Sequence, residues 1–293
     1  MKANLAILLF CGSFWGVSFT LTRIVMSEGA HPLAITFWNA AFGATVVWTL
    51  LWIFGRLPRI DSAYVKFVAV IGVLGGALPS LLLFWAAQHI GAGVLSVCMA
   101  TVPLMQFALS AALGIEGFQA RRLLGLAISL SAVWMIAEPN SGAAPLFWVA
   151  VAVMGGMSYA CEDAFIAAKR PEGPTSIQIL AGMVTAAAIY TAPFLIFVDA
   201  APLSISAPGR IEAAFVLMTL GGLCAYGAFV RMITSAGPVF AAQVAYVVTI
   251  VGVLAGVAIL GESYGASFWA AFGMIIIGPA LGLPGGWKGR IQV

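Results

Sequence analysis

Long apolar runs alternate along the chain with short breaks that contain charged residues, Pro/Gly clusters or turn residues. A helix needs about 20 apolar residues to cross the hydrocarbon core of a bilayer, so each run predicts one transmembrane helix. Cutting the chain at the breaks predicts ten helices, at 3–24, 32–55, 65–87, 91–114, 122–138, 145–167, 176–198, 212–231, 238–260 and 265–284. The first run lacks a small-residue cleavage site, so we interpret it as a retained span rather than a signal peptide.

Composition supports a membrane protein and excludes other classes. Hydrophobic residues make up 62% of the 293 residues and charged residues 8%, too few charges to cover a soluble globule. No run of Lys or Arg exceeds two residues, so no nucleic-acid-binding surface is predicted. The four cysteines lie in apolar runs without metal-ligand spacing, and neither a metal nor a cofactor is predicted. The predicted fold class is an all-α integral membrane protein.

The basic residues orient the predicted helices. With a cytoplasmic N-terminus, only Arg23 and Arg210 of the 13 basic residues fall in segments outside the cell. The opposite orientation would reverse this asymmetry and violate the positive-inside rule. We therefore predict that both termini are cytoplasmic and that the loop at Lys169 and Arg170 faces the same side.

The two halves of the chain resemble each other weakly, but in the same order. Gly12-Ser-Phe-Trp-Gly-Val-Ser18 in the first predicted span corresponds to Gly156-Met-Ser-Tyr-Ala-Cys-Glu162 in the first span of the second half. The predicted repeats are 1–140 and 141–293, with five helices each. Because five is odd, the second repeat enters the membrane from the opposite side, which is the inverted arrangement behind many alternating-access transporters. The alternative is a gene duplication preserved in a rigid membrane scaffold.

Two stretches resemble a known family. Phe14-Trp-Gly-Val-Ser-Phe19 resembles the W-G-x-x-F signature of the EamA-type drug/metabolite transporters, as does the run from Ala86 to Pro103 with Glu116 after it. The resemblance implies a ten-helix fold with a central cavity walled by helices 1 to 4 and 6 to 9, the fifth and tenth helices lying behind. It also implies export of small metabolites, often amino acids. Ser267-Phe-Trp269 is most similar to the aromatic amino acid exporters of the YddG type, whereas Thr249 departs from the repeat by replacing the proline found at 103.

Eight side chains are predicted to bind substrate: Trp15, Ser18, Thr101, Gln106, Tyr159, Glu162, Gln243 and Tyr246. Polar groups inside spans are costly unless they face protein or a water-filled cavity. Trp15 lies at mid-depth, away from the interfacial aromatic belt, and Tyr159 is its repeat partner. Gln243 and Tyr246 share one helix face. The alternative is core packing or bonding between helices, worth only about 0.6 kcal/mol per hydrogen bond on average.

Glu162 and Asp163 are adjacent carboxylates within a predicted span. Neighbouring residues on a helix point about 100° apart, so one of them faces a cavity more directly. We assign Glu162 to the cavity because it matches Ser18 in the repeat. Its predicted role is to pair with a substrate α-ammonium or to carry a coupling proton. The alternative is ion pairing with Lys169 and Arg170.

Two prolines inside spans, Pro79 and Pro103, are predicted to act as hinges. Each removes a backbone hydrogen bond and permits bending. Pro103 also lies between the polar residues Thr101 and Gln106. The alternative for both prolines is a static kink.

Arg23 lies at the predicted outer end of the first span. A guanidinium there is suited to attract a substrate carboxylate in an outer vestibule. The alternative is snorkelling with local pairing.

The predicted function is a secondary transporter that exports amino acids, including aromatic ones, across a bacterial inner membrane by alternating access. The alternatives are export of nucleosides or drugs and, as a different class, a membrane channel. An intramembrane enzyme is disfavoured because no cluster of His, Asp and Glu is present. The predicted partners are the small-molecule substrate and the lipid bilayer, and a monomer is compatible with this function.

Overall fold

The computed structural model describes residues 2–27, 30–112, 120–137, 144–198, 209–236 and 244–281, and within these ranges it contains helices and no β-strand. The first half contains α1 (Lys2–Met26), α2 (Pro32–Ile53), α3 (Ser62–Ile71), a π-helical segment (Gly72–Ala77), α4 (Leu78–Ala87), α5 (Ala92–Met99), α6 (Val102–Ala112) and α7 (Ala120–Ala137). The second half contains α8 (Leu146–Lys169), α9 (Ser176–Thr191), a 3₁₀ turn (Ala192–Phe197), α10 (Arg210–Ala236), α11 (Val244–Leu260) and α12 (Ala266–Leu281).

The surface of the bundle is apolar. Within the described ranges, seven helical stretches are long and apolar enough to cross a membrane, and shorter apolar helices occupy 127–136, 244–260 and 266–277. Large hydrophobic side chains point outward, among them Trp52, Ile196 and Phe197, which are 71%, 81% and 78% exposed. Such a surface is stable in lipid rather than in water. The all-helical membrane architecture predicted from the apolar runs is therefore confirmed.

The bundle has two ends. Arg23 Nη1 donates to the Ala87 carbonyl and His89 stacks on Trp148, which places the starts of α5 and α8 at what we call the Arg23 end. At the opposite end, here the Lys169 end, Gln178 Nε2 donates to the Arg56 carbonyl at 2.7 Å.

Helices of the first half pack mainly on helices of the second. α1 packs against α10 and α11, α2 against α9, α4 and α6 against α8, α5 against α11, and α7 against α12. Glycines allow the closest approach: a Cβ at Gly16 would lie 2.8 Å from the Val248 carbonyl oxygen, and one at Gly252 would lie 2.5 Å from Ser96 Cβ. Small residues at helix contacts are typical of membrane bundles. The interface between the halves is therefore also the core of the molecule.

The predicted 65–87 helix changes its hydrogen-bond register in its middle. Leu78 N–H donates to the Val73 carbonyl, five residues back, as in a π-helix. In the same register the Leu74 carbonyl would need the N–H of Pro79, which proline lacks. Ser158 Oγ of α8 donates to Leu74 O at 2.7 Å instead. A hydroxyl from the second half thus satisfies the carbonyl that Pro79 leaves free.

The predicted 91–114 helix is also interrupted. α5 ends at Met99 and α6 begins at Val102, because Pro103 cannot donate to the preceding turn. Thr101 is fully buried at this break, and its Oγ1 donates to the Cys98 carbonyl at 2.6 Å. The helices are therefore interrupted next to Pro79 and at Pro103, while the hinge role of both prolines stays a prediction.

The Glu262 carboxylate ties the connection between α11 and α12 to α5. Its two oxygens accept from the backbone N–H groups of Ala92, at 2.7 Å, and Gly93, at 3.1 Å. Tyr264 OH donates to the same carboxylate. A carboxylate at a helix N-terminus satisfies unpaired N–H groups and interacts favourably with the helix dipole. Burial, together with the hydrogen bond to Glu262, raises the pKa of Tyr264, which keeps its hydroxyl protonated as a donor.

Candidate functional site

Glu162 lies buried in the interface between the halves. It is on α8, is 8% exposed, and its carboxylate lies directly against Gly75 of the π-helical segment. A Cβ at Gly75 would overlap that carboxylate, so only glycine leaves room for it. The Glu162 carboxylate therefore contacts the helix at the place where its hydrogen-bond register changes.

Several other polar groups surround this carboxylate. Tyr159, one turn earlier on α8, interacts with Glu162 and with the Ser80 side chain of α4. Tyr226 of α10 lies within electrostatic reach of both Glu162 and the half-buried Asp163. We call Ser80, Tyr159, Glu162, Asp163 and Tyr226 the Glu162 cluster. It draws on three helices and both halves of the chain.

The alternative interpretation of the two carboxylates, ion pairing with Lys169 and Arg170, is not what the structure shows. In the part of the chain that the structure describes, no salt bridge joins Glu162 or Asp163 to Lys169 or Arg170. Arg170 Nη2 donates instead to the Pro174 carbonyl, at 3.4 Å, and to Ser176 Oγ, at 3.1 Å. A buried carboxylate without a cationic partner is suited to bind a cation from outside the protein.

Trp15 lies in a second group of side chains, between α1, α10 and α11. Its ring meets the edge of Phe229 at a centroid distance of 5.2 Å and an interplanar angle of 63°. Phe229 follows Tyr226 by about one turn of α10, so this helix carries residues of both groups. Trp15 and Phe229 therefore form an aromatic surface that shares α10 with the Glu162 cluster.

The remaining predicted site residues are more scattered. Ser18 Oγ donates to the Trp15 carbonyl of its own helix at 2.6 Å. Gln106 on α6 and Tyr246 on α11 are half-buried. Thr101 lies in the break between α5 and α6, and Gln243 lies outside the described residues. The structure thus brings Tyr159 and Glu162 together, while a shared site for all eight residues stays a prediction.

Some partners in the Glu162 cluster were not among the predicted site residues. Ser80 and Tyr226 come from helices far from α8 in sequence, so spacing along the chain gives no signal for them. Gly75 was detectable in principle, because a Gly-Gly pair before a proline inside an apolar run marks a weak point in a helix. Among the described residues no group of three or more His, Cys, Asp or Glu side chains could hold a metal ion.

Comparisons with known proteins agree with this architecture. Residues 2–137 match the EamA-like transporter family. The chain is 26% identical over 276 residues to the uncharacterized inner membrane transporter YedA of Escherichia coli K12, covering 91% of this chain and 86% of YedA. YedA of Escherichia coli O157:H7 gives the same 26% identity.

A solved crystal structure shares the fold. It superimposes with a TM-score of 0.62 at 20% identity and covers 96% of both chains. The family match confirms the EamA resemblance for the first half of the chain. The family match and the relation to YedA both support a transporter rather than an enzyme. Residues 2–137 therefore match the EamA-like transporter family, and this match, the relation to YedA and the apolar helices together indicate a multi-pass membrane transporter.

Proposed function

We propose that this protein exports amino acids across a bacterial inner membrane by alternating access. The observation that carries the proposal is the buried Glu162 carboxylate, held between the halves with no cationic partner among the described residues. An α-ammonium group can supply that partner through a charge-assisted hydrogen bond. The relation to YedA, an inner membrane transporter by name, supports the localisation.

The proposed topology has ten spans in two inverted repeats, with both termini in the cytoplasm. Among the described residues, seven long apolar helices and three shorter ones support a proposal of ten crossings. Helices of the two halves pack on each other, and in this proposal the two repeats rock about that shared interface. The Lys169 end then faces the cytoplasm and the Arg23 end faces outward, in accord with the positive-inside rule.

The proposed substrates include aromatic amino acids, as in YddG-type exporters. Trp15 forms an edge-to-face pair with Phe229 of α10, the helix that also carries Tyr226. An aromatic side chain can stack on such a surface while its ammonium group reaches Glu162. Pro79, next to the π-helical segment, and Pro103, at the break between α5 and α6, are the proposed hinges.

Counterflow in proteoliposomes tests this function. The purified protein is loaded with unlabelled amino acid, and uptake of labelled amino acids, nucleosides and cationic drugs is measured at trace concentration. We expect saturable exchange of amino acids, with aromatic ones among the best. Saturable exchange of nucleosides or drugs without any amino acid flux would contradict the proposal.

Trp15→Ala and Tyr246→Ala are expected to lower exchange of aromatic amino acids about tenfold, since each removes an amphipathic ring from the proposed site. Trp52→Ala is the matched control, because that indole is 71% exposed at the surface of the bundle. Rates are normalised to folded protein measured by thermal unfolding. Losses that merely follow the amount of folded protein would return both residues to a packing role.

A further inference from the structure

A cavity distinct from the Glu162 cluster opens at the Arg23 end. Its volume is about 310 Å³, and it is lined by Arg23, Ile24, Ser27, Arg210, Leu260 and Glu262. α8 begins at this end, where His89 stacks on Trp148, and Glu162 follows Trp148 by 14 residues. At 1.5 Å per residue, Trp148 at this end and Glu162 are about 21 Å apart along the axis of α8. The cavity at the Arg23 end and the Glu162 cluster are therefore separate places in the bundle.

Two guanidinium groups from different helices meet in this cavity. Arg23 comes from the last turn of α1, and Arg210 is the first residue of α10. The positive end of the α10 dipole adds to the charge of Arg210. The cavity lining contributed by α1 and α10 is therefore cationic.

Arg23 is held in place rather than extended into solvent. Its side chain is half-buried, and Nη1 donates to the Ala87 carbonyl at the end of α4. A guanidinium has five N–H donors, so this single bond leaves others for a ligand. A fixed arginine loses less rotamer entropy on binding than a free one. This geometry favours a preformed anion site over simple snorkelling.

Glu262 is the carboxylate in the cavity lining, and its two oxygens already accept hydrogen bonds from the protein. Its oxygens accept hydrogen bonds from Ala92 N–H, Gly93 N–H and Tyr264 OH. These donors stabilise the carboxylate in place but leave its charge unchanged. Two arginines against one carboxylate still give the lining a net positive formal charge, which favours an anion.

We propose that this cavity is a second substrate site, in which Arg23 and Arg210 bind the carboxylate of the amino acid at the outer mouth. The identity of the ligand rests on the proposed export of amino acids, but the carboxylate chemistry rests on the cavity alone. Cavities from about 300 Å³ upward hold small-molecule ligands. Arginine forks match carboxylates in geometry as well as in charge. After an amino acid leaves Glu162, which binds its ammonium group, Arg23 and Arg210 would bind its carboxylate.

Binding of indole-3-propionate tests the site independently of transport. This probe has a carboxylate and an aromatic ring but no ammonium group, and isothermal titration to the detergent-solubilised full chain measures its Kd. We expect Arg23→Gln and Arg210→Gln each to raise that Kd at least about tenfold, and Arg23→Lys to raise it less. Arg59→Gln, exposed at the opposite end, should leave it unchanged. Indole-3-propionamide, which lacks the charge, should bind equally weakly to all variants.

The outcomes separate this proposal from the proposed function. Arginine-dependent binding of the acid supports the cavity even where counterflow finds no amino acid flux, in which case only the transport proposal fails. Equal Kd values in the wild type, Arg23→Gln and Arg210→Gln overturn the cavity proposal, and amino acid counterflow then still stands on Glu162. Thermal unfolding of each variant confirms that the compared proteins are folded.

Discussion

Glu162→Gln is expected to raise the half-saturating concentration of amino acids in counterflow at least about tenfold. The substitution keeps the size and shape of a side chain that packs against Gly75, and it removes only the charge. An ammonium group in a buried site depends on that charge, because a neutral amide cannot form a charge-assisted hydrogen bond. For substrate analogues without an ammonium group, Glu162→Gln should change the half-saturating concentration much less.

Asp163→Asn is the matched control for this experiment. Asp163 is adjacent in sequence and half-buried, but it points about 100° away on the helix. We expect a clearly smaller change than in Glu162→Gln. Equal and unaltered kinetics in both variants would assign the two carboxylates a structural role.

A proton-coupling role for Glu162 gives a different result. Exchange would then persist in Glu162→Gln, but its dependence on pH would be lost. The titratable or charged groups around Glu162 are Tyr159, Asp163 and Tyr226, with Arg170 also acting on Tyr226. Asp163→Asn and Tyr226→Phe should therefore be measured over the same pH series, so that the lost titration can be attributed to one group.

Glu262→Ala is expected to have the largest effect on stability. It removes the acceptor for two backbone N–H groups at the start of α5 and for Tyr264 OH. Hydrogen bonds to a charged group are worth about 1.5–3 kcal/mol each, and the orphaned donors add a desolvation cost. We expect a loss of at least about 2 kcal/mol and a visibly lower Tm in detergent. Because the raised pKa of Tyr264 keeps its hydroxyl protonated, the loss should be similar at neutral and mildly alkaline pH.

Glu262→Gln should fall between the wild type and Glu262→Ala, since its carbonyl oxygen can still accept. Glu172→Ala, on an exposed turn, is the control and should unfold like the wild type. If Glu262→Ala unfolds at the wild-type temperature, the connection between α11 and α12 does not anchor α5 as described.

Hydrophobicity alone was enough to find most helices. The predicted 3–24 span appears as α1, Lys2–Met26, and the predicted 265–284 span appears as α12, Ala266–Leu281. Hydrophobic length decides these helices, because the chain must satisfy its backbone hydrogen bonds inside lipid. Boundaries shifted where polar ends continue a helix beyond the apolar run, as in α10, Arg210–Ala236.

The pattern of hydrophobic positions could not predict the interruptions of helices inside the spans. Pro79 predicts a bend, but the π-register of Gly72–Ala77 is accompanied by a hydroxyl bond from Ser158, a residue 84 positions away from Leu74. The same limit applies to the Glu162 cluster. Tyr159 and Glu162 were recognisable as polar groups within one span, whereas Tyr226 joins them only through the packing of α10.

The presence of a polar residue in a predicted span also does not tell whether its side chain bonds within its own segment or to another helix. Ser18 and Thr101 both donate to carbonyls of nearby residues on their own chain segment. Asn39 instead accepts from Thr219 Oγ1 across the two halves at 2.6 Å. The sequence signal of these residues is the same, and only the neighbouring helix distinguishes them.

Accessibility of position 80 from the two sides of the membrane tests the central claim most directly. Ser80→Cys places a thiol of similar size beside Tyr159, in a background without the four native cysteines. Membrane-impermeant thiol reagents are applied to right-side-out and to inside-out vesicles. Alternating access predicts labelling from both sides, slowed from both sides by a transported amino acid, while Glu172→Cys reacts only from the cytoplasmic side. Labelling of position 80 from one side alone, with or without substrate, would contradict the account.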